Sequence, residues 1–241
     1  EGAAQRNLNL EKLNAIQIPI PSLEKQQEII ARCEEYDNKI HQNEQLIQSL
    51  EAQKQVLADV YVSPLFKVGD TKTLGEVCDF VPGTRIVKKD NKEGDYPVYG
   101  GGDATFTTFT YNREGMTCKI SRFALTERNC VQILNEKYFL NDSGLTINTN
   151  DRNIMLDQYL WYYLLSIKSQ IYEISEGAAQ RNLNLEKLNA IQIPAPSLEK
   201  QQEIVKKYEE YLSKVSGLEN TIKLVEDCVT NINNFKKELF K

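Results

Sequence analysis

Cationic side chains interleave with tyrosines and small polar residues at three places in this sequence. Arg85, Lys88, Lys89 and Lys92 precede Tyr96 and Tyr99. Arg113, Lys119, Arg122 and Arg128 form a second group, and Gln180–Arg181–Asn182 a third. Lys and Arg neutralise phosphates, while Arg, Gln and Asn can make paired hydrogen bonds to base edges. Any one group alone also suits an ordinary solvated face. All three lie in turn-rich sequence, where recognition residues concentrate. Together they are the candidate DNA-binding residues.

No catalytic constellation accompanies them. The sequence has no GxxxxGK[ST] loop, no G-x-S-x-G elbow and no [DNS]PP[YF] methyltransferase motif. The single histidine, His41, has no triad partners and reads as solvated. Asp and Glu show no paired spacing for acid–base work. Gly100–Gly101–Gly102 lacks the strand–GxGxxG–helix setting and reads as a structural turn. The five cysteines, Cys33, Cys78, Cys118, Cys130 and Cys228, are odd in number and never in CxxC spacing. They suit reduced thiols in a cytoplasmic protein rather than a disulfide framework or a zinc site. The reading is a non-catalytic chain with no bound metal. A net charge of −5 excludes a globally basic DNA binder, but not a basic face on an acidic body.

The elements that must carry these residues are announced by a repeat. EGAAQRNLNLEKLNAIQIPIPSLEKQQEII, starting at Glu1, recurs from Glu176 with two changes, Ile20 to Ala195 and Ile30 to Val205. A domain-length separation is too long for a solenoid. In the second copy a short helix is expected over Leu185–Asn189, then a strand to Ile193, stopped by Pro194 and Pro196. Ser197 suits an N-cap with Glu199 in the first turn. Lys200 leaves the capping box incomplete. Ser22 plays the same part in the first copy.

Each copy launches a long helix. Ile29, Cys33, Tyr36, Ile40, Asn43, Ile47, Leu50, Lys54, Leu57 and Tyr61 recur at alternating steps of four and three. Ile204, Tyr208, Tyr211, Val215, Leu218, Ile222, Val225, Val229 and Ile232 do likewise. These are heptad seams. They predict an antiparallel coiled coil of helices roughly 50–60 Å long at 1.5 Å per residue. Tyr36, Ile40, Ile47, Leu50 and Leu57 of the first seam, with Tyr211, Val215, Leu218, Ile222 and Val225 of the second, are the expected helix-pairing residues. Pairing within one chain and pairing between two chains both fit. Asn43 and Lys54 are polar seam positions of the kind that fix register.

Between the helices the texture changes to glycine turns, short β-rich runs and aromatics. Tyr96–Pro97–Val98–Tyr99 runs into Gly100–Gly101–Gly102, strands are expected at Phe106–Tyr111, Met116–Phe123 and Asn129–Leu134, and one buried helix over Asp157–Ile174. The fold class is therefore α+β: one mixed domain plus two long antiparallel coiled-coil helices. Its expected divisions are 1–22, the tail of a preceding domain; 23–64, a spacer helix; 65–197, the recognition domain; and 198–241, a second helix. The whole has 241 residues, 41% hydrophobic and 26% charged, enough for one full-sized domain with an appendage. No signal peptide or membrane-length apolar run is present. The first residue is not Met, which suggests a fragment boundary.

The repeated junction Leu-Asn-Leu-Glu-Lys-Leu-Asn-Ala-Ile-Gln-Ile-Pro-x-Pro-Ser-Leu-Glu-Lys-Gln-Gln-Glu-Ile resembles that of the specificity subunits of Type I restriction–modification enzymes. There a target recognition domain passes into a conserved helix. Leu74–Gly75–Glu76–Val77, Tyr96–Pro97–Val98–Tyr99–Gly100, Lys119–Ile120–Ser121–Arg122 and Phe139–Leu140–Asn141–Asp142 are similar to segments inside that domain. The resemblance covers essentially the whole chain.

It implies two recognition domains separated by two helices, each domain reading half of a bipartite double-stranded DNA site. It implies partners: methyltransferase (modification) subunits docked on the helices and, through them, the restriction subunit. S-adenosylmethionine is expected on the methyltransferase, and no cofactor on this chain. Only one recognition domain is complete here, so a C-terminal half, or a half-length subunit that pairs with itself, is the expectation. The near-identical repeats also suit recombination arms that exchange recognition domains. Finding only one arrangement of the locus in a clonal population would count against that. The alternative to DNA reading is a coiled-coil protein-interaction adaptor, which the acidic charge favours slightly.

Overall fold

A computed structural model describes residues 10–240 apart from Pro19, Asn91 and Ala179. Of the expected tail 1–22, residues 1–9 and Pro19 lie outside the described residues. The chain divides into two compact units: Glu1–Ala52 with Leu218–Lys241, and Gln53–Gly217.

The first unit holds α1 (Leu10–Asn14), most of α2 (Leu23–Leu57) and the end of α7 (Leu198–Glu238). Over Leu23–Ala52 the side chains shielded from water are Gln26, Ile29, Cys33, Tyr36, Ile40, Asn43, Ile47 and Leu50. Over 218–238 they are Leu218, Ile222, Val225, Val229, Ile232 and Lys236. Both series step by three and four, which keeps one narrow stripe facing a partner helix. Asn43 Nδ2 reaches Cys228 Sγ at 3.7 Å, and Lys236 Nζ donates to both oxygens of Asp37 at 2.5 and 2.7 Å. Asp37 precedes Asn43 while Lys236 follows Cys228, so the helices run antiparallel and pair within one chain. Polar Asn43 thus meets a thiol across the seam.

In the second unit Lys54 and Leu57, and Tyr211 and Val215, are half-buried. Lys214 Nζ donates to Tyr61 OH at 2.8 Å. Tyr61 itself stays exposed. A π-turn over Ala58–Val62 ends the first helix, with Ser63 N bonding Ala58 O. Phe66 then enters the core, its ring 5.4–6.0 Å from those of Tyr159, Tyr163 and Tyr208. Tyr208 also stacks on Tyr162 at 4.6 Å. Removing the Tyr208 ring by Tyr208→Ala should cost about 3–5 kcal/mol, read as a fall in thermal midpoint.

Among the described residues the domain has three sheets. Strands β2 (Cys78–Pro82), β5 (Met116–Ser121), β6 (Val131–Asn135) and β8 (Gly144–Thr149) form an antiparallel sheet in the order β2-β8-β5-β6. Strands β3 (Tyr96–Tyr99), β4 (Phe106–Thr108) and β7 (Phe139–Leu140) form a second, with β7 parallel to β3. The helix α4 (Asp157–Ser166) is buried over Tyr159–Leu164, and Trp161 Nε1 donates to Ile147 O of β8. The helix expected to Ile174 breaks at Ile167 and resumes as α5 (Lys168–Glu173). Ser166 Oγ bonds back to Tyr163 O, a competition that bends helices.

The opening Leu74–Val77 is a helical turn, α3. Its cap is a box: Thr73 N and Oγ1 both donate to Glu76 at 2.6 and 2.8 Å. The third sheet joins β1 (Thr71–Thr73) to β9 (Gln192–Pro194) of the second junction. Helix α6 (Leu185–Asn189) lies between, capped by Asn184. Leu74 N donates to Ile191 O, and Tyr159 OH to Pro194 O. The junction is therefore stitched into the domain core.

Candidate nucleic-acid interface

The first cationic group sits on an irregular segment between β2 and β3. Gly83 N and Thr84 N anchor its start to Gly144 O and Leu140 O. A Cβ on Gly83 would lie 2.0 Å from Asn141 O, so only glycine fits this close approach. Beyond the anchor Arg85, Lys88, Lys89 and Lys92 are exposed, around a 3₁₀ turn at Lys88–Asp90. Among the described residues Arg85, Lys88 and Lys89 have no hydrogen bond or ion pair. They are uncommitted positive charge on a chain of net −5.

The tyrosines after them are half-buried. Tyr96 packs on Tyr111 at 4.9 Å. Tyr99 OH donates to Glu136 Oε1 at 2.8 Å, and burial helped by that carboxylate pushes its phenol up to about 12. Strand β4 stops at Thr108, short of Tyr111. Phe109 is left exposed, and Lys137 sits 4.6 Å above the Tyr111 ring. Lys137 is a cation the sequence reading missed; it lies in a Glu-Lys turn with no basic neighbours to mark it.

The second group is divided, and two of its members make internal ties. Arg113 turns inward: Nε donates to Thr146 Oγ1, Nη1 to Asn112 O, and Nη2 to Val81 O and Pro82 O. Burial lowers the pKa of its guanidinium. Lys119 is fully buried on β5, and its Nζ donates to Gly100 O and Gly102 O at 2.9 and 3.0 Å. Desolvation brings its ammonium down to about 8. Ser121 Oγ reaches Gly101 O at 2.8 Å. The three glycine carbonyls thus face inward onto donors. These bonds hold the turn against the sheet from beneath. Arg128 is exposed, and Arg122 half-buried, its Nη1 on Asp142 O and its guanidinium 5.3 Å from the Phe123 ring.

The third group meets the second. Phe123 bridges Asn182, Leu183 N bonds Arg122 O, and Leu125 N bonds Arg181 O. Gln180 and Asn182 are exposed. Arg181 likewise makes internal ties. It closes the end of α5, with Nε on Ser175 Oγ, Nη2 on the carbonyls of Tyr172, Glu173 and Ser175, and its charge 4.5 Å from the Tyr172 ring. Cations near a helix C-terminus favour its dipole. Together Arg122, Phe123, Gln180 and Asn182 make one mixed surface that sequence distance concealed. No described group of three His, Cys, Asp or Glu side chains is suited to a metal. No described helix is long and apolar enough to cross a membrane.

An α+β domain stitched by a repeated junction onto one of two long antiparallel helices defines the structural class. The model of the Type I restriction modification DNA specificity domain matches residues 1–52 and 69–226, and the chain belongs to that family. Solved structures share the fold. The Type I restriction–modification S subunit of M. genitalium is 18% identical with a TM-score of 0.61, covering 100% of this chain and 67% of that one. The HsdS subunit of Thermoanaerobacter tengcongensis is 19% identical with a TM-score of 0.54, covering 100% and 64%. A third chain, from work on assembly and conformational transition of the type I R–M system, is 18% identical with a TM-score of 0.67, covering 99% and 64%. The chain thus spans about two thirds of the length of these structures. A search of curated proteins found no match.

Proposed function

We propose that this chain is the non-catalytic DNA-reading component of a Type I restriction–modification complex, working in the cytoplasm. Its domain reads one half of a bipartite site. Its helices dock methyltransferase subunits, which carry the S-adenosylmethionine. The observation that carries the DNA reading is the uncommitted charge of Arg85, Lys88 and Lys89 on a segment anchored by Gly83. Phosphate neutralisation supplies affinity there. Base reading falls to Gln180, Asn182 and Arg122 beside the exposed Phe123. Docking on the helices is supported by apolar side chains outside the seam: Leu224 and Phe235 in the first unit, Val56 and Val60 in the second, all exposed.

The test is reconstitution with the methyltransferase subunit of the same operon and the methyl donor, followed by mapping of methylated sites. A discrete bipartite motif is the expected result. Absence of methylation together with absence of salt-dependent DNA binding would favour a coiled-coil adaptor. Within the complex, Arg85→Ala, Lys88→Ala and Lys89→Ala should each weaken all DNAs alike and reduce the salt slope by about 1. Gln180→Ala or Asn182→Ala should relax one position of the motif by about 1–3 kcal/mol. Equal losses on every DNA for all five variants would remove the base readers from this assignment.

A further inference from the structure

Arg181 does not spend its whole guanidinium on internal ties. Nε is held by Ser175 Oγ at 2.7 Å, and Nη2 by the carbonyls of Tyr172, Glu173 and Ser175 at 3.1, 3.2 and 2.8 Å. Among the described residues Nη1 has no hydrogen-bond partner, so both of its hydrogens remain to be given. The four bonds, with the Tyr172 ring 4.5 Å from the guanidinium carbon, keep the group from swinging away.

Arg181 lines an open cleft of about 520 Å³ with Ala124, Thr126, Tyr172, Gly177 and Gln180. Thr126 Oγ1 accepts from Asn129 N, which leaves its own hydrogen to donate. Among the described residues no carboxylate lines the cleft. Of the acids adjacent in sequence, Glu127 accepts from Ser169 Oγ, Glu176 from Asn184 Nδ2 and Lys187 Nζ, and Glu173 is exposed to solvent. The cleft therefore holds one cation and donors without a competing anion. Its backbone is strained into place. Ala124, at φ 52°, is the one non-glycine residue in the left-handed region among those described. Its neighbours hold it there: Phe123 bridges Asn182, and Leu125 N donates to Arg181 O. Gly177, at φ 115°, turns the loop that carries Gln180, and a Cβ on it would lie 2.1 Å from Gln180 O. Backbone held in such conformations clusters at ligand clamps.

We propose that this cleft clamps one phosphate of the DNA backbone. Arg181 Nη1 donates to one non-bridging oxygen and Thr126 Oγ1 to the other. The internal bonds fix the guanidinium before DNA arrives, so little side-chain entropy is lost when the contact forms. A charge-assisted contact to phosphate positions the duplex without reading it. The clamp thereby sets the register for Gln180, which lines the same cleft and is the proposed base reader. A free phosphate offers the same oxygens. The diester is favoured because its single negative charge matches the single cation, and because the Phe123–Asn182 bridge joins the cleft to the base-reading surface. The clamp rests on the DNA reading proposed above.

The test uses the complex reconstituted with the methyltransferase subunit and the variant Ala178→Glu. Ala178 is exposed and lines the cleft, so a glutamate there adds a carboxylate to the cleft without entering the core. Ala178→Gln has the same shape without the charge and gives the baseline. Relative to it, A178E should weaken binding to every DNA by about 10-fold and reduce the salt slope by about 1. Duplexes with one neutral methylphosphonate linkage, moved along the half-site, complete the test. One linkage should cost about 10-fold with A178Q and nothing further with A178E, because the two changes remove the same contact. If no linkage changes its cost between the two variants, the clamp is overturned while the DNA reading stands. Loss on some sequences and not others also overturns it, since the cleft would then border a base. A thermal midpoint raised by inorganic phosphate at constant ionic strength, with no coupled linkage, gives the cleft to a free phosphate and overturns the backbone assignment. Absence of DNA binding by the wild-type complex overturns both the clamp and the proposed function.

Discussion

Ile193→Glu is expected to unfold the recognition domain, while Ile18→Glu, the same substitution in the same local sequence, leaves it standing. Ile193 is fully buried and lies on β9 opposite Lys72 of β1. A carboxylate placed there has no solvent. Stranding an unpaired charge in a core costs upward of about 4 kcal/mol, much of the 5–15 kcal/mol that holds a typical domain together. Ile18 is 76% exposed, and an exposed substitution of this kind falls within about 0.5 kcal/mol. The measurement is thermal unfolding of the intact chain followed by the fluorescence of its single tryptophan. Trp161 is buried against Ile147 O and reports on the domain directly. Equal midpoints for the two variants would mean that the junctions share one environment, and would contradict the burial seen here.

That contrast bounds what the sequence could reveal. Heptad spacing placed every shielded position of α2 apart from Gln26, because a helix against one partner buries one stripe and nothing else competes. The repeat announced two junctions. Identity of sequence could not say that one is covered and the other open, since burial depends on what lies opposite. Within the domain the strands β1, β2, β7 and β8 went unread. β8 is central and buried on both faces, so Gly144–Thr149 shows no alternation to mark it.

The candidate site was legible in residue types and illegible in their use. Arg85, Lys88, Lys89, Arg113, Lys119 and Arg181 look alike in sequence. Arg113 and Arg181 each have guanidinium bonds to several backbone carbonyls, a use that neighbours far along the chain determine. Arg113 ties the end of β2 to β8, and Arg181 ties the third cationic group to α5. Arg85, Lys88 and Lys89, without hydrogen bond or ion pair among the described residues, lie on a segment with little regular structure. The internal cations hold loops in place, Arg181 with one nitrogen left over, and the external ones are those proposed to meet DNA.

Lys119→Met carries the second large effect. Its ammonium is the donor to Gly100 O and Gly102 O beneath the glycine turn. Methionine keeps most of the volume and removes both bonds. Leaving two buried carbonyls without these donors costs about 2–5 kcal/mol near neutral pH, offset in part by removing a desolvated charge. The pH dependence identifies the cause. Burial lowers this lysine from its ordinary 10.5 to about 8 in the folded chain. Between those values the unfolded chain holds the proton and the folded chain has released it. Stability from this group therefore rises with pH, by up to about 1.4 kcal/mol per unit. Below pH 8 both states are protonated and the slope vanishes. The buried phenols of Tyr159 and Tyr208 are pushed up and weaken the fold above their ordinary pKa of 10, but they do so in both proteins and cancel in the comparison. The gap between wild type and Lys119→Met should thus widen by about 2 kcal/mol from pH 7 to pH 10, measured by urea denaturation at fixed ionic strength. A gap that stays constant would mean that the ammonium keeps its full solvation, and that the glycine turn is held by Ser121 and backbone geometry alone.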